Sequence, residues 1–159
     1  MAADNSGFVA APYTATWDTK ALGFTEQGFQ FSPIYARDDV RVDSFGDCLV
    51  DGIYRGYNLR LTFDLMEWNS AARESLANPF DAAGVGTLDG IGKTLRHFAK
   101  QLILTPKSGI NSLAKIYTFP LAIPDTDHGA FAFQTRSRRL RCNLIVLPDL
   151  TTGKLFAIT

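Results

Sequence analysis

Residues 46–69 read GDCLVDGIYRGYNLRLTFDLMEWN. The second half alternates, with Leu59, Leu61, Phe63 and Leu65 on one side and Arg60, Thr62 and Asp64 on the other. A period of two sends successive side chains to opposite faces, so the pattern predicts a strand over 58–67 with one apolar and one polar face. The first half is punctuated by Gly46, Gly52 and Gly56, with Asp47 and Asp51 between them. Glycine permits turns and close backbone approach. An acidic, glycine-rich segment leading into so regular a strand suits a binding or catalytic loop, or a joint between identical subunits.

The same period recurs outward from that strand. YTATW (13–17) alternates, and GFTEQGFQFSPIYA holds Phe24, Phe29 and Phe31 between Gly23 and Gly28, which predicts two short strands and a tight turn. DVRVD (39–43) sets Val40 and Val42 against Arg41 and Asp43. Further on, LILTP (102–106), AKIYTFPLAI (114–123), GAFAFQ (129–134), RLRCNLIVL (139–147) and GKLFAIT (153–159) complete the strand-like runs. After Asn69 a short helical segment, SAARESLANPF, stops at Asn78-Pro79. From Thr87 the period changes: Leu88, Ile91, Leu95, Phe98 and Leu102 share one helical face, with Thr87 as N-cap. The expected fold is therefore α+β and mainly β, an antiparallel sandwich or barrel with one main flanking helix. Residues 1–12 are expected to form an N-terminal arm and 13–159 a single β-rich domain.

Composition narrows the function. The 159 residues suffice for one domain with a real core, and 46% are apolar. Sixteen basic and sixteen acidic residues cancel, which gives no electrostatic drive toward nucleic acid or an anionic membrane. No apolar run reaches the ~18 residues a membrane helix needs. The N-terminus, MAADNSGFVAAPY, lacks the basic and long apolar regions of a signal peptide. Cys48 and Cys142 lie far apart in sequence and form no CxxC pair, which fits reduced thiols.

Three motifs suggest chemistry and fall short of it. GVGTLDGIGKT (84–94) ends in Gly92-Lys93-Thr94, but a phosphate loop needs its first glycine at position 87, which is Thr. PDTDH (124–128) gathers Asp125, Asp127 and His128, yet His97 is the only other histidine, and a metal site needs more convergent ligands. With two histidines and no paired Cys–His or Ser–His context, no catalytic constellation is expected, and neither a cofactor nor a metal. RSRRLR holds Arg136, Arg138, Arg139 and Arg141; opposite in sign are Asp38, Asp39, Asp43, Asp47 and Asp51. These two sets can pair within the fold, pair between subunits, or stand solvated; phosphate contact by the arginines is a further reading.

The order of the pieces resembles the tail tube proteins of long-tailed bacteriophages. The resemblance rests on Gly46, Asp47, Asp51, Gly52, Ile53, Tyr54 and Gly56, in a G-D-x-x-x-D-G-I-Y-x-G pattern, and on Glu67 and Asn69 at the following corner. It spans roughly residues 20–150 and carries no catalytic signature. It implies a non-enzymatic virion protein, assembled in the host cytoplasm, whose rings of six stack into a tube for DNA ejection. The implied partners are further copies of the chain, other tail proteins at the tube ends, and the tape-measure protein and transiting DNA in the lumen. A terminator or baseplate hub subunit is the nearest alternative, and a monomeric β-barrel for small ligands the more distant one. On this reading Asp38, Asp39, Asp47, Asp51, Gly52, Tyr54, Arg136, Arg138, Arg139 and Arg141 are candidates for the subunit interface. Arg60, Thr62 and Asp64 are then expected to face the channel or solvent; mixed charge there would let DNA pass without sticking.

Overall fold

The computed structural model describes residues 12–23, 25–43, 48–66, 76, 91–107, 114–125, 130–133 and 138–159. Among these residues nine strands appear in chain order: β1 (Tyr13–Trp17), β2 (Lys20–Ala21), β3 (Thr25–Val42), β4 (Cys48–Leu65), β5 (Lys100–Pro106), β6 (Tyr117–Pro124), β7 (Ala130–Phe133), β8 (Arg138–Val146) and β9 (Ala157–Ile158). A short helix, α1 (Leu95–Phe98), precedes β5. All nine strands join a single sheet in the order β2-β1-β5-β6-β8-β4-β3, with β7 added on β8 and β9 on β6. Every pairing is antiparallel.

The alternation in 59–65 is realised residue by residue. Leu59, Leu61, Phe63 and Leu65 are buried, and their register partners on β8 are Val146, Leu144, Cys142 and Leu140, all buried too. This shared face meets Ala15 and Trp17 of β1, Leu102 and Leu104 of β5, and Phe119 and Ala122 of β6 in one core. Each fully buried large side chain contributes roughly 1.5–3 kcal/mol relative to exposure, so the face outweighs any local propensity in fixing the register.

The sheet curls until its two ends approach. Phe31, on the last strand of the order, stacks on Tyr117 and Phe119 of β6 at centroid distances of 5.7 and 6.5 Å. Tyr13 of β1 reaches the same Tyr117 at 6.0 Å. The result is an open barrel. Its seam lies between β1 and the start of β3 and is lined by Tyr13, Thr14, Thr25 and Gly28, among others. Pro12, at the end of the expected arm, is tied down: its carbonyl accepts the Lys107 N–H at 2.9 Å.

Three expectations need correction. Among the described residues the helix expected from Thr87 is confined to Leu95–Phe98, and Leu102, counted both in the helical stripe and in the LILTP run, is a buried strand residue. Gly92 sits at φ +84°, off the helical region, while Thr94 and Ala99 are extended at either end of α1. Ile91 and Leu95 are exposed while Phe98 and Leu102 are buried, so the described members of the stripe do not share one buried helical face. The second correction joins the separate strands expected between 25 and 42 into one: β3 runs for 18 residues, and Gly28 (φ +75°) makes a bulge between Glu26 and Gln30 where a tight turn was predicted. The third extends the predicted 58–67 strand back to Cys48. Of the short helix after Asn69 only Leu76 is described, with helical backbone and a fully buried side chain; the rest lies outside the described residues.

Candidate subunit-contact site

β3 and β4 continue as a two-stranded arm beyond the core. From Ile34 to Arg41 and from Cys48 to Arg55 every residue is exposed. Nine positions, from Ile34 to Val42, span about 30 Å at the usual strand rise. The pairing persists to Val42↔Cys48, with bulges between Ala36 and Arg37 and between Val40 and Arg41. The first bulge coincides with Gly56 at φ +108°, a backbone state that L side chains rarely adopt. Gly52 has no such need: a Cβ there would meet the Asp38 carbonyl oxygen at 3.7 Å, an ordinary contact.

The arm is apolar without being buried. Ile34, Tyr35, Val40, Leu49, Val50, Ile53 and Tyr54 are all exposed, with Tyr35 at 67% and Tyr54 at 60%. Register separates its faces. Tyr35↔Tyr57 and Arg37↔Tyr54 continue the side that holds Phe31↔Leu61, so a row of tyrosines extends the core face outward. Tyr35 lies 5.8 Å from Tyr57 and 6.5 Å from Tyr54 between ring centroids. Tyr57 itself packs against the core. Isolated hairpins are marginal in water. An arm this apolar gains stability by being covered.

The arm's aspartates find partners within the arm. Asp38 pairs with Arg55, and Asp39 with Arg37 at 3.0 Å and Arg41 at 3.8 Å. The Asp51 carboxylate accepts the Gly52 N–H at 2.7 Å. These groups are exposed, so each pair is worth at most about 1 kcal/mol. Arg138, Arg139 and Arg141 sit on β8, which β7 joins through Phe133↔Arg138, Ala132↔Arg139 and Ala130↔Arg141. Arg141 also stands opposite Asp64 on β4. Asp51 and Asp64 are separated by about 43 Å of extended strand. The chain therefore holds the arm's acidic residues and the arginine run at opposite ends of one strand. Asp47 and Arg136 lie outside the described residues.

Arg60, Thr62 and Asp64 occupy the face of β4 opposite the core, across from Ile145, Asn143 and Arg141. They are half-buried. Arg60 donates to Asp125 at 2.5 Å, and the Asp125 N–H donates to the carbonyl of buried Asn143 at 2.9 Å. Asp125 of the PDTDH motif is thus committed to a guanidinium; Asp127 and His128 lie outside the described residues. Among the described residues no group of three metal-ligating side chains converges. Lys93 lies 5.9 Å from the Phe98 ring, and Thr94 makes no side-chain capping bond. Burial pushes the Cys142 thiol well above its ordinary pKa, with the Asp64 charge adding to it, whereas Cys48 is exposed at the arm. Among the described residues no helix is long and apolar enough to cross a membrane.

Sequence reasoning placed Asp38, Asp39, Asp51, Gly52 and Tyr54 together, and the structure gathers them on the arm. It missed the apolar members Ile34, Tyr35, Leu49 and Val50, whose alternation is interrupted by two bulges. It also missed the seam groove of about 500 Å³ lined by Pro12, Tyr13, Ala15, Ala21, Gly28 and Lys107, among others. No single stretch of sequence encodes that groove.

No family model matches the chain, and no curated protein is similar to it in sequence. Among solved structures it is similar to the anti-feeding prophage cap, described as a tube terminating cap. The TM-score is 0.55 at 9% identity, over 100% of this chain and 99% of that one. At this identity the likeness is one of fold, and it extends over both chains end to end.

Proposed function

We propose that the chain is a non-enzymatic structural subunit of a phage-type tail that assembles into rings, six copies being the expected number. The observation that carries this reading is the arm, a long paired ribbon with seven large apolar side chains exposed, on a fold shared with a tube terminating cap. A monomeric ligand-binding barrel has no use for such a ribbon, and an unattached one invites aggregation. A contact between two different surfaces of the same chain closes into a ring when the rotation permits. Two roles fit: a repeating tube subunit, or the ring that ends the tube. The likeness to a terminating cap favours the second. In either role the partners are further copies and neighbouring tail proteins, the site of action is the virion, and DNA or a tape-measure protein passes without specific binding.

Electron microscopy across a range of concentrations, with mass by light scattering on the same samples, tests the reading. Discrete rings that bind tube ends support a terminator, and open-ended hollow tubes support the repeating subunit. A monomer at every concentration, with or without tail partners, would defeat both.

A further inference from the structure

Resting on the ring-forming reading, we infer that the tyrosine face of the arm seats in the seam groove of a neighbouring copy, Tyr35 and Tyr54 entering between that copy's β1–β2 edge and the start of its β3.

Two unsatisfied features of one chain motivate this. The arm offers seven exposed apolar side chains, including two tyrosines exposed by 60% or more. Each aromatic can bury roughly 150–250 Å². The arm therefore lies in the class of several hundred Å² that marks a contact surface. The seam offers the concave counterpart: about 500 Å³ walled by Pro12, Tyr13, Ala15 and Ala21, with Gly28 leaving open space where a side chain would stand. Tyrosine suits such a site because its ring fills an apolar slot while its hydroxyl meets polar groups, and Thr14 and Thr25 are among the lining residues.

The occupant must come from another copy. Groove and arm lie on the same strand: Gly28 lines the groove, and Tyr35 stands on the arm of the unbroken β3. Seven residues of extended chain hold them roughly 23 Å apart. The bulge at Gly28 and the one at Ala36–Arg37 bend the strand without reversing it. Charge agrees with the pairing. Between Ile34 and Arg55 there are five aspartates and three arginines, and Lys107 stands at the groove. Because arm and groove are different surfaces, the contact is head-to-tail and propagates from copy to copy.

Trans cross-linking tests the docking. In a Cys48→Ser background, one batch carries Arg37→Cys, the register partner of Tyr54 on the tyrosine face, and another Ala21→Cys; both positions are exposed and both tyrosines are kept. Mixed and oxidised, the two batches should give a disulfide-linked dimer at least ten times more abundant than either alone. In parallel, Tyr35→Ala/Tyr54→Ala should raise the concentration needed for assembly about tenfold or more, as loss of aromatic anchors does, with unchanged circular dichroism. Rings or tubes forming without the mixed cross-link, and undiminished by the double alanine change, would overturn the docking and leave the ring reading intact. An unsubstituted protein that never assembles would overturn the ring reading, and this inference with it.

Discussion

The two halves of β4 invite comparison because they are one strand and both pair with β3. Leu59–Leu65 is backed by β8 as well as β3, and its apolar positions vanish into the core. Cys48–Arg55 pairs with β3 alone and is exposed at every residue. Both halves carry strand-forming side chains: Val50, Ile53 and Tyr54 in one, Leu61, Thr62 and Phe63 in the other. Strand formation and burial are therefore separate properties. The first follows from local residues and a hairpin partner, the second from whether a third layer of side chains lies behind.

The largest effect expected from this contrast is on folding. Leu61→Ala removes a fully enclosed side chain and should cost about 2–5 kcal/mol. Ile53→Ala, on the same strand but in the arm, should stay within about 0.5 kcal/mol. Urea unfolding of the unassembled protein measures both. A comparable loss at Ile53 would mean that the arm packs on its own subunit.

Next in size is the ion-pair contrast. Arg60 and Asp125 are paired where the Asp125 side chain is only 13% exposed. Arg60→Leu leaves a carboxylate largely enclosed without its guanidinium and should cost about 1–3 kcal/mol. Arg55→Leu breaks the exposed bond to Asp38 and should cost no more than about 1 kcal/mol. Equal losses would show that the arm's pairs are shielded in the free subunit, against their exposure.

What the sequence made legible follows the same division. The alternation at Leu59, Leu61, Phe63 and Leu65 predicted a half-buried strand, and YTATW predicted β1 to the residue, because packing against one face leaves a period of two. The arm was read as a glycine-punctuated joint without its length, since two bulges shift the register at Ala36–Arg37 and Val40–Arg41 and break that period. The long helix failed for a related reason. Ile91, Leu95 and Leu102 fit a helical stripe by spacing, but Leu102 and Leu104 fit a strand equally well, and pairing with β1 and β6 decided between them. The charge reading left pairing within the fold and between subunits open, and the structure pairs Asp38 and Asp39 with arginines of the arm itself. The groove was not legible at all, because it forms only when β1 and β3, at opposite ends of the strand order, curl together.

Two glycines of the arm sharpen the contrast at smaller scale. Gly56→Ala forces a side chain into φ +108° and should cost about 1–3 kcal/mol, loosening the arm's base. Gly52→Ala adds a Cβ at ordinary contact distances in extended backbone and should stay within about 0.5 kcal/mol. Thermal melts of the two variants read the difference, and amide exchange on β3 shows whether the bulge governs pairing along the arm. Equal effects would remove the bulge at Gly56 as the reason for a glycine there.

The thiols give the contrast a readout that costs almost nothing at neutral pH. Cys48 is exposed on the arm, and Cys142 is enclosed opposite Phe63 with its Sγ 3.6 Å from the Leu140 carbonyl oxygen. Iodoacetamide should therefore label Cys48 in the native protein and Cys142 only after unfolding. Burial, aided by the Asp64 charge, raises the Cys142 pKa above its unfolded value, so the folded state holds this proton more tightly than the unfolded one. The stabilisation is fully present below the unfolded thiol pKa of about 8.5 and is lost progressively as pH rises above it. Unfolding midpoints at pH 7 and pH 9.5 should fall further apart in the native protein than in Cys142→Ala, where no thiol remains to ionise. An equal gap in the unsubstituted protein and in Cys142→Ala would place the alkaline sensitivity elsewhere, and fast native labelling of Cys142 would show that the sheet opens at its core face.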